Sequence, residues 1–388
     1  MYKKLLLIFL LVTASLLILE YFVNTWMDPY VLSSKTGWVS NQEIRVTKPI
    51  KVFENKLKAV LIGNSRNNYG IDLIGDNTSD FYNLSLSGIG INEIAKLFYH
   101  TVSSNADLEV AFISLDSVCD PNDPLYASQF IDERFLISSK NKAHEVIFNK
   151  YALYASYSTL ELSIAQSKAG FLNEVGRQTI FNENEYLSKG AAHGLRTKEA
   201  VTIGPQGNKK STQELSFQDY KKMCKTTSLI SILNLAKKQN IKLTFFINPV
   251  NVRYWEITYQ KNRLQTYLFD KKIIKDIIHA SLIGANQAIK VIDFRRLNDF
   301  TLERLSYNDA AEIKYKYWYE SSHFTKKFGD VITSILISDE LENMATSVSL
   351  LDIDIEDDFK SQLNILKSWR LNNPDLVSEI QQAFVNTK

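Results

Sequence analysis

The chain has 388 residues, with 45 Lys and Arg against 43 Asp and Glu. That even balance argues against a nucleic-acid partner, because phosphate binding calls for a basic excess. A hydrophobic content of 45% and a charged content of 23% are those of a globular protein, and the length suits one enlarged α/β domain carrying an insert. At the N-terminus, Lys3 and Lys4 precede an almost unbroken apolar stretch, 5–23, whose one charge is Glu20. About 20 apolar residues cross a bilayer core. Two lysines ahead of the span place the N-terminus in the cytoplasm and the remainder outside. A cleaved signal peptide is the rival reading, but the bulky residues Glu20-Tyr21-Phe22-Val23 offer no small-x-small site. The expectation is an uncleaved anchor over residues 1–27 in the inner or cytoplasmic membrane, with the rest periplasmic or otherwise extracytoplasmic. Trp26 and Tyr30 would serve as interfacial anchors.

Residues 28–53 show little periodicity and read as a connecting segment, turned off the membrane by Asp28-Pro29-Tyr30. Strands and helices then alternate. Apolar runs at 59–62, 81–86, 108–115, 241–247 and 290–294 read as strands. Helical spacing marks 91–102, 218–239, 263–288 and 326–338. Such alternation predicts a mainly parallel sheet with helices on both faces. The domain is expected over 54–340. Within it, 121–215 is less regular, with helices near 124–137 and 144–166 and a Gly- and polar-rich part around 186–212. It reads as an insert that either covers a site or merely decorates the domain. The remainder, 341–388, reads as a charged helical tail. Cys119 and Cys224 read as two unpaired small core residues, a single disulfide in an oxidising compartment being the alternative. No Cys/His spacing suggests zinc, and no cofactor is expected.

The stretch KAVLIGNSRNNYG at 58–70 organises the chain. A buried strand that stops at Gly63 and presents Ser65 is how an α/β fold places a nucleophile at the carboxyl edge of its sheet. The plain alternative is a strand-to-helix turn with Ser as a cap. A serine nucleophile needs a base within hydrogen-bond reach, and the base needs an orienting acceptor. Of five histidines, His100, His144, His193 and His279 read as surface or packing residues. His323 lies in Tyr319-Glu320-Ser321-Ser322-His323, directly before a helix. A carboxylate three residues ahead can fold back onto the ring and fix its tautomer. Gly88 follows the second strand, where a loop amide could face an oxyanion. Ser114 and Asp116 reach the same sheet edge from the third strand.

These blocks, in this order, resemble the SGNH (GDSL-like) hydrolase superfamily. The resemblance is to its membrane-anchored, extracytoplasmic branch in bacterial cell-envelope and polysaccharide loci. The blocks are Gly63-Asn64-Ser65-Arg66…Gly70, Asn83-Leu84-Ser85-Leu86-Ser87-Gly88, Ser114-Leu115-Asp116 and Glu320-Ser321-Ser322-His323…Gly329-Asp330. Together they span roughly 50–340. The resemblance implies a three-layer α/β/α, flavodoxin-like domain. It implies Ser65 as nucleophile, His323 as base and Glu320 as the residue that orients the base. It also implies an oxyanion hole from the amides of Ser65 and Gly88, completed by an Asn side chain in the third block. Asp116 stands in that place here, and an ionised carboxylate would repel an oxyanion.

The expected activity is ester hydrolysis or O-acyl transfer on an envelope or extracellular polysaccharide. A membrane acyltransferase that hands over the acyl group would suit a tethered transferase. The competing readings are a non-catalytic binding or assembly protein on the same scaffold, and a lipid esterase. Arg66 is a candidate for holding an anionic substrate group or for pairing with a structural acid. Arg253, at a strand edge after Asn248-Pro249, is a candidate for a carboxylate or sugar, or a surface arginine. Tyr315, Tyr317, Trp318 and Tyr319 form a stripe that reads as half-buried packing, with sugar stacking as the alternative.

Overall fold

The computed structural model describes residues 2–28, 44–54, 56–71, 80–116, 118–119, 154–156, 159–161, 163–164, 191–203, 216–224, 226–282, 289–309, 313–338 and 346–386. The helix expected near 124–137, and most of the one near 144–166, lie outside the described residues. The chain divides into two units. The smaller comprises Met1–Asn55, Tyr99–Asn105 and Tyr126–Asn182, and the larger comprises Lys56–Phe98, Ala106–Leu125 and Glu183–Lys388.

In the smaller unit, α1 (Tyr2–Met27) is long and apolar enough to span a membrane or to be a signal sequence. Its large apolar side chains from Leu5 to Leu19 stand exposed. Its last turn is held by polar contacts: the Asn24 amide donates to the Tyr154 carbonyl at 2.8 Å, and the Tyr154 hydroxyl donates to Asp28 at 2.6 Å. α2 (Ile44–Glu54) lies where a connecting segment was expected. It buries Arg45, Thr47 and Lys48 beside Ile50 and Val52 and carries Pro49 within it, two features that argue against a helix when read along the chain. His100 is buried with its Nε2 2.9 Å from the Pro49 carbonyl, a packing histidine as expected.

The larger unit is built on a six-stranded sheet. In chain order its elements are β1 (Ala59–Ile62), α3 (Ser65–Gly70), β2 (Phe81–Asn83), α4 (Ile91–Ser104, whose last residues belong to the smaller unit), β3 (Val110–Ser114), α5 (Ala191–Ile203), α6 (Phe217–Met223), α7 (Thr226–Gln239), β4 (Lys242–Ile247), α8 (Val252–Gln260), α9 (Gln265–Leu282), β5 (Ile289–Asp293), α10 (Lys326–Ile337), β6 (Val348–Ser349), α11 (Ile355–Asn372) and α12 (Pro374–Asn386). The strand order is β2-β1-β3-β4-β5-β6, parallel throughout except for the edge strand β6. Strands such as AVLI, VAFIS and KLTFFI are nearly continuous apolar runs, as strands covered on both faces require. The pairs Leu61↔Asn83, Ile62↔Ile113, Ser114↔Phe246 and Ile247↔Asp293 align the carboxyl ends of five strands along one edge. The chain leaves β1 toward β2 but leaves β3 toward β4. The strand order therefore reverses at β1 and β3, the place where open α/β sheets bind ligands.

Two expectations are corrected. The single helix over 218–239 is two helices, parted at Cys224, which is joined to Cys119 by a disulfide. The cysteines are therefore paired and not free: Cys224 leaves the helix with extended backbone and meets the turn just past β3. The tail at 341–388 belongs to the larger unit, where Phe359, Leu366, Trp369, Leu376 and Ile380 are buried. α8 was not foreseen: it is only nine residues long, and it buries the charged Arg253 and Glu256 beside Val252, Trp255 and Ile257.

Candidate active site

The turn after β1 builds one half of the site. Asn64 caps α3, its side-chain oxygen accepting the Arg66 amide at 3.0 Å, so Ser65 is the first helical residue. Gly63 is required by close approach: a Cβ there would lie 2.2 Å from the Asn67 side-chain oxygen. At its other end α3 packs against α10. A Cβ on Gly329 would sit 1.7 Å from the Gly70 carbonyl oxygen, and a Cβ on Gly70 would sit 2.1 Å from the Phe324 ring. Two glycines thus let the helix that starts at Ser65 press against the helix that follows His323.

The aromatic stripe builds the other half. Trp318, Phe324 and Phe328 are buried in one core cluster with Leu61, Phe246 and Phe294. Phe300 and Phe328 stack at 5.0 Å. Tyr315 and Trp318 are therefore packing residues, and between Trp318 and Phe324 the chain is pinched into a closed loop. The Tyr319 amide donates to the His323 carbonyl at 2.8 Å, and the Thr325 amide donates to Tyr317 at 2.9 Å. Inside the loop the Glu320 carboxylate faces His323 Nδ1, and it accepts the Ser322 amide at 2.7 Å and the Ser322 hydroxyl at 2.9 Å.

These halves bring together residues 258 positions apart: Ser65 Oγ lies 2.7 Å from His323 Nε2. With Nδ1–H turned toward Glu320, Nε2 is the acceptor for the serine hydroxyl. Burial lowers the His323 pKa, and Lys198 of α5 and Arg66 lower it further against the opposing pull of Glu320, so the ring stays neutral. Burial works to raise the Glu320 pKa, but His323, Lys198 and the Ser322 amide outweigh it and keep the carboxyl ionised. The Tyr69 ring packs 5.0 Å from the His323 ring, and its hydroxyl pairs with Ser87 at 2.9 Å. Leu86 donates to the Gly63 carbonyl at 2.9 Å, so the loop leading to Gly88 runs beside the turn that carries Ser65. Gly88 itself has φ 66°, the left-handed region that favours glycine.

Asp116 is a different kind of group from the one expected. Its carboxylate accepts from the Asn64 side chain, from the Asn248 amide at 3.0 Å and side chain at 2.7 Å, and from the Ser114 hydroxyl at 3.2 Å. It also pairs with Arg66 at 3.3 Å and Arg295 at 3.1 Å. Burial would raise its pKa, but the two guanidinium groups and Asn248 override this and lower it. An ionised carboxylate has no hydrogen to give, so Asp116 is corrected from oxyanion-hole member to the hub of a polar network.

Both candidate arginines belong to structural pairs. Arg66 holds Asp116, and its Nε donates to the Ser322 carbonyl at 3.0 Å, tying the serine helix to the histidine loop. Arg253 is fully buried, forked onto Glu199 at 2.8 and 3.0 Å and paired with Glu379 at 2.8 Å, so it cannot reach a substrate. Asn67 and Asn248 exchange amide hydrogen bonds at 2.8 and 2.9 Å beneath the site. The sequence reading missed the roles of Asn67, Tyr69, Lys198, Asn248 and Arg295. For Asn248 and Arg295 the available signal is their position just past a strand's carboxyl end; for Tyr69 and Lys198 there is none. Among the described residues, no group of three His, Cys, Asp or Glu is placed to hold a metal ion. No protein-family model matches the chain, and no curated protein matches it.

Proposed function

We propose that this chain is a serine-dependent ester hydrolase or O-acyltransferase that works through an acyl-enzyme on Ser65. The observation that carries the reading is the Ser65–His323–Glu320 relay, with its 2.7 Å hydroxyl–imidazole contact. Ser65 Oγ attacks the ester carbonyl carbon as its proton passes to His323 Nε2. The imidazolium is stabilised by Glu320, and general-base assistance of this kind is worth roughly 10²–10⁴ in rate. The carbonyl oxygen becomes an oxyanion facing the amides of Ser65 and Gly88. When it collapses, the C–O bond to the alcohol breaks and the alcohol leaves with the proton from His323. Water or a sugar hydroxyl then attacks the acyl-Ser65, again losing its proton to His323, and the acyl group departs from a reprotonated serine.

The strand order β2-β1-β3-β4-β5 supports a three-layer α/β/α, flavodoxin-like SGNH fold, in which the crossovers on either side of the reversal point cover opposite faces. The apolar α1 behind two lysines supports single-pass anchoring with the domain outside the cytoplasm. The Cys119–Cys224 disulfide supports the same side of the membrane, since disulfides persist in oxidising compartments. A tethered serine enzyme there would act on an envelope or extracellular polysaccharide, with a membrane acyltransferase as a natural donor partner.

The test is labelling of the detergent-solubilised chain with a fluorophosphonate probe, wild type against Ser65→Ala. Labelling that disappears in the variant supports the reading. A folded wild type that stays unlabelled refutes it. One observation favours a second reading, a non-catalytic assembly protein: Asp116 is committed to Arg66 and Arg295 where the resembling family places an oxyanion donor. Losing one such donor costs about 10²–10³ in rate, which leaves a slower enzyme and not a dead one.

A further inference from the structure

A small, partly open cavity lies at the carboxyl ends of β1 and β3, and the triad itself does not use it. Its volume is about 50 Å³. Four of its walls are apolar: Ile89, Ile91, Ile94 and Leu115. Ile91, Ile94 and Leu115 are 3%, 5% and 2% exposed, so these walls are set by packing and do not yield. The other walls are Asn64, Ser114 and Asp116. Their polar atoms are already engaged, since the Asn64 side chain and the Ser114 hydroxyl both donate to Asp116, and Asn248 donates to Ser114 at 2.9 Å. A space with apolar walls and saturated polar ones favours an apolar guest. Its lining includes Asn64, the residue immediately before the nucleophile.

We propose that this cavity receives the acyl tail carried by Ser65 and limits it to two or three carbons. The inference rests on the serine-ester reading above. A cavity of about 150 Å³ accommodates the six carbons of benzene, or roughly 25 Å³ per carbon. On that scale 50 Å³ holds about two carbon-sized groups beyond the carbonyl. In the acylation step the Ser65 Oγ–carbonyl bond forms and the alcohol leaves with the proton relayed by His323. The carbonyl stays at the serine, and only the carbons beyond it enter the cavity. Acetyl and propionyl fit. Long lipid acyl chains do not, which separates a short-acyl glycan enzyme from a lipid esterase.

The experiment compares kcat/KM for p-nitrophenyl acetate, butyrate and octanoate on the full chain in detergent, with Ser65→Ala as the background. Fluorophosphonate labelling of Ser65 is measured in parallel. The expected result is a fall of at least about tenfold from acetate to octanoate, the scale on which a packed pocket rejects an extra methylene. Ile94→Ala, which enlarges the cavity, should raise the butyrate-to-acetate ratio about tenfold. Ile89→Trp, at a partly buried position, should instead depress acetate turnover, and it serves as the readout if Ile94→Ala fails to fold. A labelled wild type that takes octanoate as well as acetate, or cavity variants that leave the ratio unmoved, would overturn the pocket and leave the serine chemistry standing. An unlabelled Ser65 would overturn both.

Discussion

Gly329→Ala tests whether the pairing of two helices creates the site. The new Cβ would lie 1.7 Å from the Gly70 carbonyl oxygen, a backbone atom that cannot swing away. Restoring ordinary contact at about 3.4 Å opens the pair by roughly 1.7 Å. Ser65 begins α3 and His323 leads into α10, so the same movement separates nucleophile from base. If the whole shift reaches the site, the 2.7 Å contact stretches to about 4.4 Å, outside hydrogen-bond reach. Overpacking of this kind costs about 1–3 kcal/mol, and loss of the base costs roughly 10²–10⁴ in rate. The assay is the rate of fluorophosphonate labelling at Ser65, read beside a thermal melt. Ser334→Ala, on the exposed side of the same helix, is the control and should change neither. A Gly329→Ala protein that labels at the wild-type rate would refute the claim that α3–α10 contact sets the catalytic distance.

Lys198→Gln removes a cation that favours the neutral imidazole, so the His323 pKa should rise and the acid limb of kcat/KM should move to higher pH; an unmoved limb would remove Lys198 from the site. Asp116→Asn should not improve catalysis, although it places an amide where the resembling family has one. It takes the shared carboxylate away from the buried Arg295 and the partly buried Arg66 at a cost of about 3–5 kcal/mol, read as a lower Tm, and a gain in turnover would contradict this account. Arg253→Leu should destabilise the chain on a similar scale by stranding Glu199 and Glu379, while KM for the folded fraction stays unchanged. Denatured, unreduced protein should resist a maleimide-polyethylene glycol and gain two adducts after reduction; adducts before reduction would refute the Cys119–Cys224 pair.

Some of this was legible along the chain, because local patterns carry it. Strand 59–62 was read to the residue, and the strands at 108–115, 241–247 and 290–294 to within two, since strands buried on both faces are bare apolar runs. The turn after the first of them, and a histidine three residues past a carboxylate, named Ser65, His323 and Glu320. Elements whose buried face is polar stayed invisible. α8 carries Arg253 and Glu256 inside, and periodicity has no sign for a charge whose partner, Glu199 or Arg370, lies far along the chain.

What tertiary structure alone decided is who answers whom. Asp116 reads the same in one dimension whether it faces an oxyanion or two arginines; Arg66 and Arg295, 50 residues before it and 179 after, make it a structural anion. Arg253 lost its place as a ligand for a like reason, being satisfied by Glu199 and Glu379. The serine and histidine were each nameable from their own neighbours, but the 2.7 Å between them depends on two glycines that let a pair of helices touch. Local chemistry is written in adjacent residues, whereas charge compensation and distance belong to the packing of segments hundreds of residues apart.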